Sequence, residues 1–336
     1  MKKLIITMIQ VILGVSLITY LFYRMHNTGE LDKFMEAVKL AMTNWNFLTI
    51  GAGGFFFCIL ICTFRWNILL KAQGIHLPFR LVFMLYFVGQ FFSVFMPGAT
   101  SGDIFKAYFV ASESKHNRTE AVASVFIDRI IGLIALILLT CVIMLIRFDF
   151  FMQFKETRLA MVFIGGAFAA TALGISMVFG KDFVFRLISG KGANKESKIR
   201  ATIERLYLSF KTCITGIPVL SKTIALSLAN HVTLVLCIFF LGKALELDLS
   251  FIACLTVFPI INAIAALPLT PGGIGTRETA CVFLLGVYGI SQSSAIALSL
   301  LLYASTLAWG LVGGIVYFYY ILAGKGISSI SGTTQA

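Results

Sequence analysis

Apolar residues dominate six stretches of this chain, at 4–23, 47–64, 126–146, 159–179, 223–242 and 294–322. A helix needs about 20 such residues to cross about 30 Å of hydrocarbon, so each stretch is predicted to be a spanning helix. Two further apolar segments, 79–111 and 251–289, are each interrupted by a proline-glycine run that carries charge: PGATSGDIFK at 97–106 and PGGIGTRE at 271–278. A charge at the centre of a membrane helix costs roughly 2.5–3.5 kcal/mol on insertion scales, and freed backbone groups cost more. Such interruptions persist where they line a cavity or bind something, which makes them the first candidates for a site.

Composition agrees with the pattern. The 336 residues are 59% apolar and 12% charged, with a mean hydropathy of +0.94, where soluble chains carry roughly 25% charge. The formal charge of +12 does not point to nucleic acid, because the basic residues cluster in loops between apolar segments, as the positive-inside rule demands. Met1, Lys2 and Lys3 precede the first apolar run without a small-residue cleavage site, so that run reads as a retained span. Seven cysteines lie mostly within apolar segments and read as packing residues; Cys58 and Cys62 are one turn apart with no second ligand pair nearby.

Loop charge sets the topology. The segment 180–222 carries Lys181, Arg186, Lys191, Lys195, Lys198, Arg200, Arg205, Lys211 and Lys222 against Asp182, Glu196 and Glu204. It falls outside if 79–111 simply crosses, against the positive-inside rule. Treating 79–111 as a re-entrant hairpin from the cytoplasm restores agreement and places both termini in the cytoplasm. By the same parity 251–289 is a hairpin from outside. The expectation is an all-α polytopic integral membrane protein, a single membrane domain over 1–336 with about six spanning helices and two re-entrant helical hairpins. Its halves, 1–146 and 159–322, form an inverted-topology repeat, the arrangement in which broken helices meet near the midplane around a substrate. Within the basic loop, Ile199, Ile203, Leu206 and Phe210 at helical spacing predict an amphipathic helix on the cytoplasmic headgroups.

Each interruption has the chemistry of an anion site. Pro97 removes a donor, and Gly98 and Gly102 permit a sharp turn that presents N–H groups. Asp103 and Lys106, three apart, share a helix face and are expected to neutralise each other. Asp128 and Arg129 are predicted to open the next span, where an arginine fork suits phosphate. In the second run Pro271, Gly272, Gly273 and Gly275 break the segment, Thr276 is the expected N-cap, and Arg277 and Glu278 stand at the start of the new helix. Asp103, Glu278 and His231 are candidate coupling groups. Asn230, His231 and Asn262 are candidate hydrogen-bonding partners between helices.

Arg65-Trp66 at the end of the second span, PGATSGDIFK, SVFIDRIIGL and PGGIGTRE follow one another in an order that resembles the membrane domain of the lysylphosphatidylglycerol synthase family, also described as flippase-like, over about residues 5–325. The first motif departs from the family's usual form, with Ala99, Thr100 and Ser101 before Gly102 and Lys106 where an arginine is common. The resemblance implies translocation of a charged-headgroup lipid between leaflets of a prokaryotic cytoplasmic membrane, with Arg65 joining the substrate-binding set. The synthases carry an aminoacyl-transferring domain after the membrane part, whereas this sequence ends at Ala336, so lipid synthesis is not expected. The expected ligand is therefore a phosphate-bearing phospholipid or polyprenyl-phosphate-linked lipid, held by Lys106, Arg129 and Arg277. No cofactor, metal or nucleic acid is expected; a homo-oligomer and a separate lipid-modifying or glycosyltransferase enzyme are candidate partners. An intramembrane transferase acting on a lipid-linked substrate is the alternative, although HExxH and GxSxG are absent. An ion-coupled small-solute transporter on the same repeat is a third reading.

Overall fold

A computed structural model describes residues 16, 19–20, 22–23, 25–27, 29, 31–96, 101–114, 117–179, 205, 207–213, 216–267, 270 and 273–322. The described residues are helical with no strand. In chain order the helices are α1 (Leu31–Thr43), α2 (Trp45–Ala72), α3 (Phe79–Phe95), α4 (Ser101–Glu113), α5 (Arg118–Ile146), α6 (Phe148–Gln153), α7 (Lys155–Phe179), α8 (Ile217–Ala244), α9 (Phe251–Ala265), α10 (Thr276–Gly286) and α11 (Gln292–Leu322). Among the described residues five helices, α2, α5, α7, α8 and α11, are long and apolar enough to cross a membrane. Their outward faces are apolar and bare, with Leu145 76%, Val162 74% and Ile315 71% exposed. Only hydrocarbon solvates such faces without penalty, so the chain is an all-α polytopic integral membrane protein.

Each spanning helix contains its predicted apolar core and extends it by polar or charged turns. The predicted span 4–23 lies almost wholly outside the described residues, as do Ile199, Ile203 and Leu206 of the predicted amphipathic helix. Phe210 is described and packs with Cys213 onto Leu69, Ile127 and Ile131. Gln73 at the end of α2 donates to the Ser209 carbonyl at 2.8 Å. Phe210, Cys213 and the Ser209 carbonyl thus tie this short described piece to the ends of α2 and α5.

The two interrupted segments are both helical hairpins by their contacts. Ser101 at the start of α4 donates to the Phe92 carbonyl, Phe105 stacks on Phe92 at 3.7 Å, and Lys106 lies beside Gly89, so α4 runs back along α3. A Cβ on Gly102 would overlap the Ser93 side chain and the Gly89 carbonyl, so the arms close only because that position is bare. In the second hairpin Gly273 sits against Ala265 at the end of α9, and α10 packs back on α9. The arms span 17, 13, 15 and 11 residues. At 1.5 Å per residue the longest reaches about 26 Å and the shortest about 17 Å, all below a hydrocarbon core of about 30 Å.

Each hairpin is centred in its own apolar cluster. Leu85, Val88 and Phe92 of α3 pack with Val110 of α4, Trp66 and Tyr320. Val257, Phe258 and Ile261 of α9 pack with Cys281 and Leu285 of α10 and with Leu298 of α11. The most extensive contact in the molecule joins α2 to α8. It is antiparallel along its length: Asn44 before α2 donates to Ala244 and Glu246 at the far end of α8, Gly51 meets Leu241, and Arg65 reaches Ser227. Helix α3 packs on α11, and α9 packs on α5.

Candidate functional site

The first charged cluster takes its charges from three helices, α2, α4 and α5. Arg65 of α2 is 5% exposed and donates from Nε to Asp128 Oδ1 of α5 at 2.7 Å and from Nη1 to Ser227 Oγ of α8 at 2.9 Å. Lys106 of α4 lies 3.6 Å from the other Asp128 oxygen, and its Nζ stands over the rings of Trp66 at 3.9 Å and Tyr86 at 4.3 Å. Two aromatic faces and one carboxylate thus hold an ammonium group away from water, where cation–π attraction is strongest. The Trp66 indole is oriented in turn by its bond to Ser124 Oγ.

Three expectations for these residues are corrected. Asp103 and Lys106 do not neutralise each other: Asp103 pairs with Arg129 and Lys106 with Asp128, because α4 packs on α5 and presents each residue to the helix across from it. Asp128 and Arg129 do not open a span, since α5 begins at Arg118, about 15 Å earlier along the axis. Arg65 does not close α2, which continues to Ala72. Arg65, Asp128 and Arg129 thus lie inside their helices rather than at their ends.

In the second hairpin Gly275, at φ 86°, is the N-cap, and Thr276 is the first helical residue rather than the cap. A side chain at that φ is strained, whereas glycine adopts it freely. Glu278 folds back to accept from the Gly275 N–H at 2.5 Å and from Ser299 Oγ at 2.8 Å. Arg277 donates to Ser299 at 3.1 Å and to Glu278 at 3.3 Å, and its guanidinium faces the ring of Tyr303. Thr276 bonds to the Gly273 carbonyl and to Thr270, which holds the turn together. Pro97, Gly98, Pro271 and Gly272 lie outside the described residues.

These groups line connected interior space. A cavity of about 420 Å³ is bordered by Arg65, Asp103, Lys106, Asp128, Arg129 and His231. A second, of about 270 Å³, lies between Arg129 and Arg277, and a third, of about 230 Å³, reaches from Arg277 to Tyr86. Gln90 of α3 borders all three. The first cavity shares Leu133, Leu136 and Ala266 with an apolar groove of about 510 Å³ between α5, α7 and α9. His231 donates from Nε2 to the Gly132 carbonyl at 3.0 Å, which joins α8 to α5 and leaves Nδ1 as an acceptor. Among the described residues no cluster of three His, Cys, Asp or Glu side chains offers a metal set.

Sequence reasoning missed Tyr86, Gln90, Ser227 and Ser299. Gln90 was visible in principle as a lone amide within FVGQFFSVF, whereas the two serines have the look of any small residue in a membrane helix until the arginine opposite is known.

The fold and the site define an all-α integral membrane protein in which charged residues of both hairpins border interior cavities, one of them beside an apolar groove. The chain belongs to the family described as the lysylphosphatidylglycerol synthase transmembrane region, whose pattern matches residues 8–317. It is similar to proteins named UPF0104 membrane protein in three archaea. One from Methanocaldococcus jannaschii is 25% identical over 72% of this chain and 75% of its own length. A Pyrococcus horikoshii relative is 24% identical over 90% and 92%, and one from Methanothermobacter thermautotrophicus 23% identical over 94% and 93%.

Proposed function

We propose that this protein carries an anionic, phosphate-bearing lipid, a phospholipid or a polyprenyl-phosphate-linked lipid, between the leaflets of a prokaryotic cytoplasmic membrane. The observation that carries this reading is the junction at Leu133, Leu136 and Ala266, where a cavity lined by Arg65, Lys106 and Arg129 adjoins an apolar groove. A solute needs only the first compartment; a lipid needs both. The family's description, which names a lipid synthase's membrane region, supports the same substrate type.

In this reading α3–α4 and α9–α10 are re-entrant hairpins from opposite sides, and the halves are inverted repeats with both termini cytoplasmic. Arms α4, α9 and α10, at 13, 15 and 11 residues, fall short of the roughly 17 that a crossing needs, and the equivalent helices α2 and α8 run antiparallel, which supports that arrangement. Alternating exposure of the hairpin tips moves the headgroup while the tail stays in hydrocarbon. Arg129, with its side chain 44% exposed, meets the phosphate first, and Asp103 holds its place until then.

Purified protein in liposomes is expected to accelerate leaflet exchange of tail-labelled anionic lipid, read by quenching of the label from outside. Arg277→Ala is expected to slow exchange about tenfold or more, the effect of removing one charge-assisted contact of roughly 1.5–3 kcal/mol. Wild-type rates equal to those of empty vesicles across phospholipids and polyprenyl phosphates would sink the proposal.

A further inference from the structure

Three carboxamides meet where the cavities join. Gln90 of α3, Asn230 of α8 and Asn262 of α9 each border both the cavity of Arg65 and Lys106 and the cavity of Arg277. The Asn230 Oδ1 atom is buried without a hydrogen-bond partner, and neither Gln90 nor Asn262 makes a side-chain hydrogen bond among the described residues. Interhelical bonding was the expected role for Asn230 and Asn262, and it accounts for neither. The buried Asn230 oxygen is costly unless a bound group completes it, and the half-buried amides of Gln90 and Asn262 border the same space with their own hydrogen-bonding capacity uncommitted.

Their chemistry differs from that of the cations beside them. A phosphate oxygen only accepts, and Arg and Lys only donate, so those partners suffice for the phosphate. A carboxamide both donates and accepts, which is what a hydroxyl requires of its surroundings. Charge narrows the ligand further. The basic residues Arg65, Lys106, Arg129 and Arg277 number four and the acidic residues Asp103, Asp128 and Glu278 number three, leaving one formal positive charge. A phosphodiester with one negative charge balances it. The apolar groove adjoins the cation-lined cavity, and that cavity shares its three amides with the space that leads on to Arg277.

Resting on the transport reading above, we infer that Gln90, Asn230 and Asn262 recognise an uncharged, hydroxyl-rich group attached through a single-charged phosphodiester, a polyol or sugar headgroup. The phosphate lies by Arg65, Lys106 and Arg129, and the hydroxyls extend toward Arg277.

Two tail-matched probes separate the possibilities: phosphatidylinositol, monoanionic with a polyol ring, and phosphatidylmethanol, monoanionic with no hydroxyl. Wild-type protein in liposomes is expected to exchange the first at least about tenfold faster, since a site built to hydrogen-bond a hydroxyl rejects analogues that lack it. Gln90→Leu and Asn262→Leu are expected to bring the two rates together. Equal wild-type rates overturn the inference and leave lipid transport standing, and this comparison needs no variant to fold. Short-chain forms of both lipids, tested for thermal stabilisation of the protein in detergent, give a readout independent of transport. Preferential stabilisation by the inositol lipid without any exchange supports the inference and overturns the transport reading. Equal stabilisation by both overturns the inference.

Discussion

Asp128 accepts from Arg65 and faces Lys106, so removing its charge strands two cations in closed space. Breaking a buried pair in this way costs about 3–5 kcal/mol. Asp128→Ala is therefore expected to lower the thermal midpoint in detergent sharply, whereas Asp103→Asn, whose Arg129 partner is 44% exposed, is expected to cost under about 1 kcal/mol and leave the midpoint nearly unmoved. Similar losses for both substitutions contradict the description of one pair as structural and the other as accessible. The sequence made every one of these charged residues conspicuous, since charge inside an apolar run stands out. It misassigned their partners, because i,i+3 spacing is local information and the α4–α5 contact is not. Thr276 was displaced from the cap for a similar reason: the positive φ at Gly275 starts the helix one residue later than the hydroxyl suggests.

At the level of elements, the hairpins depend on how closely their arms approach. Gly102→Val places methyl groups where Ser93 and the Gly89 carbonyl already lie. Overpacking of this kind costs about 1–3 kcal/mol, and here it pushes α4 off α3 and takes Lys106 from its aromatic cage. A lowered unfolding midpoint is expected, together with a loss of lipid exchange larger than the stability change explains; an unaffected variant means that the arms separate freely. Hairpin existence was legible because proline-glycine runs interrupt segments too short for two crossings. Helix ends were not: α2 extends to Ala72 and α8 begins at Ile217, since polar turns continue a helix into the headgroup layer without any apolar signal.

For the whole molecule, loop charge predicts opposed hairpins, while the helices themselves show α2 and α8 packed antiparallel. Cysteines introduced at exposed His76 and Arg118 are expected to react with an impermeant thiol reagent from one face of the membrane, and those at Asp248 and Ser291 from the other. If either pair splits between faces, its hairpin is a crossing and the repeat is not inverted. The native cysteines are buried or half-buried, which keeps the background low. The groove that adjoins the cavity could not be read from sequence, because its walls are ordinary leucines and isoleucines of α5 facing small and aromatic residues of α7 and α9, helices distant in the chain.

The paired charges have an electrical consequence. On the proposed reading a bound phosphodiester makes the cavity formally neutral, and one positive charge remains when it leaves. A membrane potential acts on charge that moves, with about 2.3 kcal/mol per elementary charge for each 100 mV across the full field. An imposed potassium diffusion potential is therefore expected to alter turnover through the return of the empty carrier and to leave a single loaded crossing unaffected. Voltage is thereby a brake or a spur on resetting, with the lipid itself carried as electrically silent freight.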